Sequence, residues 1–563
     1  MPEPFFPAVK WTKRDWLAAA GLCILALMLS SAGLSIRSLW GPEGRWALIV
    51  REMIISGKYF YPTTNGIPDF DKPLLSYWAI LPFAWTFGVN ELTLRIPSAL
   101  AGTGVVLVTY AIGRRLFGRG EAFLAALIVA TSFMFLFWAR TASAEILNLA
   151  GIWLMFWAFL SGGRDGKWPH LWAFYMVGAV SSFLKGPVAP AVCVAAIGFY
   201  SLWRLLQGLK NSPFRILFRE HFRWIWSLQG LAGLFFGAVL FSLLLLLPVI
   251  FTGFWDPVYL MFKENVLRFV KPFDHVDPFY SYLVYIPLFT VPWTFPVFAS
   301  LWAARGWPAS DARFWSLTTA LGIFLFFTFS GSRRGYYILP ILPVLALIAG
   351  KALRDWIGGT TESAGAVLVK ASVIITASLL LAAGIAAGSI FFIMDAFRSL
   401  SLLGFSIFLS AGAFLSLWLL VREKRGTGFA SLSVLVIAAQ LWFATSGAHL
   451  LEQQRTLRAF SGEVKEYTAS IDRSNLAIFQ GGTASLLFYL DCGILPSLST
   501  VREVEDFGKA HPGSYLIIDL DIASNFRRFD YLKSMAPVIV QKTTGDERQE
   551  RFVLLQFPFP AGE

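Results

Sequence analysis

Apolar runs separated by short polar breaks set the plan of the chain. They lie at 16–36, 96–113, 121–139, 146–161, 169–183, 187–203, 228–252, 280–303, 314–330, 336–350, 367–393, 401–421 and 428–447. Most approach the roughly 20 residues that a helix needs to cross a hydrocarbon core. A further run at 75–89 is short, is interrupted by Pro82 and is rich in Trp and Tyr, the pattern of a segment that lies in the interface. The first run follows a basic tail with no clear small-residue cleavage site, so it predicts a retained helix rather than a signal peptide.

After residue 448 the pattern changes. Short strand-like runs at 476–480, 514–522, 537–541 and 551–557 alternate with helix-compatible segments at 451–471 and 501–510, which predicts a small α/β domain. The GGT at 481–483 is too short to serve as a nucleotide-binding loop.

Composition agrees with a polytopic membrane protein: 56% hydrophobic and 15% charged residues, with a mean hydropathy of +0.61. The net charge of +12 would suggest nucleic acid in a soluble chain. Here the cations cluster between apolar runs, so they read as topology determinants and no nucleic-acid partner is expected. The clusters are Arg114, Arg115 and Arg119; Arg164 and Lys167; Arg204 to Arg223; Arg305 and Arg313; Lys351 and Arg354; and Arg422 to Arg425. With 75–89 kept out of the count, thirteen spans place every cluster on the side of the N-terminus, as the positive-inside rule requires. That parity places the first polar loop, 37–95, and the tail from 451 on the outer side, the periplasm of a bacterial inner membrane. The expected domains are thus 1–450, membrane-embedded, and 451–563, soluble.

Cys23, Cys193 and Cys492 are far apart, as are the five histidines, so no disulfide framework or histidine metal centre is expected. No cofactor signature is present, and the need for a divalent cation is left open.

The outer loops carry more charge than topology requires. The stretch 41–78 holds Glu43, Arg45, Asp71 and Lys72; the next outer loop holds Arg140 and Glu145; Lys185 stands alone between two apolar runs; and 253–279 contributes Arg268. Arg333 and Arg334 violate the positive-inside rule, which an anionic outer ligand would explain. Ordinary alternatives exist for each: wet loop charges, a helix-dipole carboxylate for Glu145, snorkelling for Lys185. Together they describe cations for a phosphate and carboxylates for acid, base or oxocarbenium-stabilising work, an inventory that suits sugar transfer from a lipid-linked sugar phosphate.

At these residues the chain resembles the aminoarabinose transferases that modify lipid A and, more widely, the protein O-mannosyltransferase superfamily of C-type glycosyltransferases. The carriers are EGRWALIVREMIISGKYFYPTTNGIPDFDKPLLSYW (43–78), ELTLRIPSALAG (91–102), GRRLFGRGEAFLAALIVATS (113–132), LKGPVAP (184–190), ENVLRF (264–269) and SRRGYYILPILPVLAL (332–347). The resemblance implies about thirteen helices with a C-terminal periplasmic α/β domain. It also implies inverting transfer from a polyprenyl-phosphate sugar donor to a lipid, glycan or protein acceptor, with the lipid tail among membrane helices. The residues read together with this resemblance make Glu43, Glu145 and Asp71 the candidates for catalysis and Arg45, Lys72, Lys185, Arg268, Arg333 and Arg334 those for the donor phosphate. Three positions depart from the family pattern: Pro42 stands where an Asp is usual, Glu145 replaces an Asp, and Asp71-Lys72-Pro73-Leu74 replaces Glu-Lys-Pro-Pro. A protein hydroxyl acceptor needs a strong base and an ionised phosphate acceptor does not, so the missing Asp favours a lipid or glycan acceptor. The competing classes are a lipid or glycan transporter, against which the lack of internal duplication speaks, and a non-catalytic envelope scaffold.

Overall fold

The computed structural model describes residues 9–272, 276–359, 363–394, 397–453, 455–480, 483–520, 522, 535–541 and 551–558. His275, Gly481, Gly482 and the C-terminal Glu563 lie outside them. The chain divides into two compact units, one of residues 1–34, 70–79 and 95–447, the other of residues 35–69, 80–94 and 448–563.

The first unit is a helical bundle, and the chain is a multi-pass membrane protein. Among the described residues ten helices are long and apolar enough to cross a membrane, or twelve if each of two bent pairs is one span. The pair Arg119–Ala130 and Phe133–Ala139 bends by 65°. At the break Thr131 and Ser132 turn their hydroxyls back onto the carbonyls of Leu127 and Ile128, competing with the helix ladder. The pair Ser281–Phe289 and Thr294–Gly306 bends by 111° around Pro292, which has no N–H to continue the first helix.

Contacts between helix ends show that both pairs run from one end of the bundle to the other. Arg114 and Arg119 both donate to Asp15, at the start of helix Lys13–Ser31. Arg140 donates to the carbonyl of Leu29, near that helix's other end. Likewise Arg333 donates to the carbonyl of Asp277 at one end of the second pair, while Arg313 donates to that of Arg305 at the other. The expected span 169–183 is the 18-residue helix Trp168–Lys185, less apolar because it contains His170 and Lys185. It runs from the Arg164 end back to Glu145, beside the ten to twelve candidate spans of the described residues. The six basic clusters share one end of the bundle. Arg204 pairs with Asp311, Lys370 with Glu423, and Arg425 donates to the carbonyl of Trp356. The run 75–89 forms only the short helices Leu75–Trp78 and Leu81–Phe87.

The second unit is α/β. A small hairpin, β1 (Thr63–Thr64) and β2 (Ile67–Pro68), precedes a five-stranded sheet of β3 (Leu476–Phe479), β4 (Ser497–Leu498), β5 (Tyr515–Asp519), β6 (Ala536–Val540) and β7 (Phe552–Gln556). The sheet order is β4-β3-β5-β7-β6, with β3 parallel to β4 and β5 and with β7 antiparallel to β5 and β6. All four predicted strands are present, and the two-residue β4 is added. One apolar cluster joins Leu48, on helix Glu43–Ser56, to Phe460, Ile478, Leu486, Ile517 and Leu554. Helix Ala484–Leu490 packs so closely on helix Glu43–Ser56 that a Cβ on Gly44 would lie 2.4 Å from the Ser485 nitrogen.

Candidate functional site

The first unit gathers charged side chains at the end opposite the basic clusters. Ser143 caps helix Ala144–Ala158, which places Glu145 in its first turn, where the helix dipole favours a carboxylate. Lys185, the last residue of helix Trp168–Lys185, donates to Glu145. The pair is largely buried, at 12% and 14% side-chain exposure. Tyr336 and Tyr337 lie under the ammonium, 5.6 and 4.8 Å from ring centroid to Nζ, so π faces supply part of the solvation that burial removes.

Gly186 explains the break after Lys185. Its φ of +103° is a conformation that side-chain-bearing residues rarely adopt, and a Cβ there would lie 2.2 Å from Asn265 Oδ1. Asn265 lies in a single π-helical turn, Lys263–Leu267, within the ENVLRF segment. Pro187 ends the donor ladder at the same point. Lys72 and Arg334 are near enough to act electrostatically on Lys185. Lys72 Nζ donates to Asp71 Oδ2 at 2.8 Å, and Arg334 donates to the Tyr336 hydroxyl at 2.7 Å.

Thus Asp71, Lys72, Glu145, Lys185 and Arg334 come together, drawn from four distant sequence segments. Arg268 pairs with Glu264 one turn earlier. Arg333 donates to the carbonyls of Thr328 and Asp277, tying the loop before it to the end of helix Asp311–Phe329. The Gly331 N–H donates to the Phe269 carbonyl at 2.8 Å, which joins the loops that carry Arg268 and Arg333. Asn265 was named among the polar residues of the loop 253–279, but Tyr336 and Tyr337 were not singled out by sequence reasoning. Their signal was only adjacency to quoted segments, since an aromatic in a greasy chain carries no charge pattern.

Glu43 and Arg45 lie in the second unit. Glu43 is fully buried; its Oε2 accepts from Arg37 at 3.0 Å and from the Trp40 N–H at 3.1 Å. Arg45 is bound to Asp69, which also accepts from the Thr64 hydroxyl at 3.0 Å. Arg51 donates to the carbonyls of Leu487 and Phe488 and pairs with Asp491. Burial draws the Arg51 pKa down while Asp491 and Glu52 push it back up. Among the described residues no three of His, Cys, Asp and Glu come together as a metal ion would require.

Comparison with known proteins finds similarity over part of the sequence and over most of the fold. The dolichyl-phosphate-mannose-protein mannosyltransferase family profile matches residues 71–217. An undecaprenyl phosphate-alpha-4-amino-4-deoxy-L-arabinose arabinosyl transferase of Shewanella sediminis is 26% identical over 336 residues, 58% of this chain and 58% of the relative. One from Pseudomonas fluorescens is 29% identical over 371 residues, 62% of this chain and 60% of the relative. The matched segment therefore spans less than two thirds of these relatives' length. The crystal structure of ArnT from Cupriavidus metallidurans bound to undecaprenyl phosphate superposes with a TM-score of 0.69 at 19% identity, covering 97% of this chain and 98% of that one. An archaeal oligosaccharyltransferase, AglB from Archaeoglobus fulgidus, superposes at 0.50 with 12% identity over 93% of this chain and 71% of its own.

Proposed function

We propose that the chain is a C-type glycosyltransferase, as its partial similarity to such enzymes supports, and that it transfers a sugar from a polyprenyl-phosphate donor to a lipid or glycan acceptor on the periplasmic face of a bacterial inner membrane. The observation that carries the reading is the buried Lys185–Glu145 pair with Lys72, Asp71 and Arg334 around it, at the bundle end away from the basic clusters. The basic end lies in the cytoplasm in this reading.

The chemistry follows from charge. As the bond from the anomeric carbon to the phosphate oxygen breaks, negative charge grows on the lipid phosphate. Fixed ammonium and guanidinium groups then stabilise the transition state more than the ground state. Lys72, Lys185 and Arg334 take this role, with Arg268 and Arg333 in the joined loops beside it. Asp71 and Glu145 hold the ammonium groups in place before the donor arrives, and they balance positive charge on the sugar as the bond opens. The acceptor oxygen attacks the face opposite the leaving phosphate, so configuration inverts. The roles of Glu43 as a carboxylate base and of Arg45 as a phosphate ligand are a separate proposal, tested on their own.

The purified full chain, incubated with radiolabelled polyprenyl phosphate sugars and membrane acceptors, should consume the donor, as neither a transporter nor a scaffold does. Intact donor with every acceptor would overturn the reading. The mannosyltransferase profile over 71–217 favours a second outcome, transfer to Ser or Thr of a protein, which the same assay separates by where the label ends.

A further inference from the structure

The segment between passes Val188–Gly208 and Leu228–Thr252 lies at the basic end, and beyond the topology signal of its cations it has no role so far. It forms helix Phe214–His221 and a further turn, Arg223–Trp226. Its inner face is anchored. Leu217 fills the space beside Gly208, where a Cβ would lie 2.7 Å from a leucine methyl, and the Tyr175 hydroxyl donates to the Trp224 carbonyl at 2.9 Å. Leu217, His221 and Trp224 are buried.

The outer face carries two stripes at helical spacing. Phe214, Phe218 and Phe222 stack in succession, with centroids 5.7 and 4.8 Å apart. Arg215, Arg219 and Arg223 form the neighbouring stripe, all exposed. Phe214, Ile216 and Trp226 are 58%, 59% and 61% exposed. Because the flanking passes both reach the basic end here, the segment is held at the membrane surface. Exposed Phe and Trp are then at acyl-chain depth and the arginines at the level of the phosphates. Lys210 adds a fourth cation, and Glu220 is the one carboxylate on the helix.

We propose that residues 210–226 form a binding surface for anionic phospholipid headgroups, with Arg215, Arg219 and Arg223 donating to phosphodiester oxygens and the Phe stripe set among the acyl chains. Guanidinium suits this role because its planar donors engage two phosphate oxygens at once. Arg215 and Arg219 lie about one helical turn apart, and Arg223 opens the turn that follows the break at Phe222, so adjacent headgroups are met in sequence.

The test uses the full chain, delipidated in detergent and titrated with phosphatidylglycerol or with phosphatidylcholine, bound lipid being read by native mass spectrometry. Arg215→Gln/Arg219→Gln/Arg223→Gln should weaken phosphatidylglycerol binding about a hundredfold, from roughly fivefold per surface arginine, and leave phosphatidylcholine binding unchanged. Arg422→Gln/Lys424→Gln, at the same end but off this helix, should bind as the wild type does. Should the triple variant fail to fold, Arg219→Gln alone carries the test with about a fivefold loss. Unchanged phosphatidylglycerol binding in the variant, or an equal loss in the Arg422/Lys424 control, would overturn the assignment. Equal loss of both lipids would reduce the surface to its apolar stripe and would also overturn it.

Discussion

Glu145→Gln replaces the carboxylate that faces Lys185 with a neutral amide and leaves a buried ammonium without that counter-charge, beside the π faces of Tyr336 and Tyr337. Breaking a buried pair by removing one partner costs about 3–5 kcal/mol. The residual exposure of 12% and 14% lets water reach the site, so the low end, about 3 kcal/mol, applies. Lys185→Met should cost less, about 2 kcal/mol, because the remaining carboxylate sits in the first turn of helix Ala144–Ala158, where N–H groups and the dipole stabilise it. The double variant removes both charges and should cost about 2 kcal/mol rather than the additive sum of about 5, a coupling of about 3 kcal/mol. Denaturant unfolding in mixed micelles reads all three. Donor turnover should follow another course: Lys185→Met loses a phosphate contact made in the transition state and falls about tenfold to a thousandfold. The double variant, as stable as Lys185→Met and more stable than Glu145→Gln, should show no more turnover than Lys185→Met. Additive stabilities would refute the buried-pair argument, and recovery of turnover in the double variant would refute the phosphate role of Lys185.

Other outcomes follow from single positions. Gly186→Ala should destabilise by about 2 kcal/mol or more, from the left-handed φ together with the overlap on Asn265, and adding Asn265→Ala should recover only the overlap part in the same unfolding assay. Gly44→Ala drives a methyl into the Ser485 backbone, so limited proteolysis should cut the C-terminal segment faster; an unchanged digestion pattern would contradict the packing. Glu43→Gln should lose most turnover at a normal melting point if the carboxylate acts on substrate; joint loss of turnover and stability would mean that its bonds from Arg37 and Trp40 only order the loop. Cysteines placed at Gly66 and Glu563 should react with impermeant reagents from outside, and those at Gly118 and Gly426 should not; reversed labelling would invert the orientation.

Much of the first unit was legible because crossing a bilayer imposes a local rule. An unpaired backbone group in hydrocarbon is costly, so each apolar run must become a helix whatever its neighbours do. The same locality made 75–89 readable as non-spanning. The sites of bending were less legible. Pro292 is visible in the sequence, but the break at Thr131 and Ser132 comes from hydroxyls competing for carbonyls, and such residues occur unbent elsewhere in the chain. The short helix Ala484–Leu490 escaped notice because its apolar run resembles a buried strand segment.

Hydropathy and charge asymmetry along the sequence determined the multi-pass character of the chain, the shared end of the basic clusters and the α/β character of the tail, since these depend on each residue's own transfer energy. Partnership between charges was decided only by the tertiary structure. Glu43 could have met Arg45 or Arg51, yet Arg45 is bound to Asp69, Arg51 to Asp491 and the carbonyls of helix Ala484–Leu490, and Glu43 accepts from Arg37. Lys185 finds Glu145 forty residues away because two antiparallel helices place their ends side by side. Coulomb attraction falls with distance and is screened by water, so a list of charges names no pairs; burial and helix packing select which two charges share a low-dielectric space.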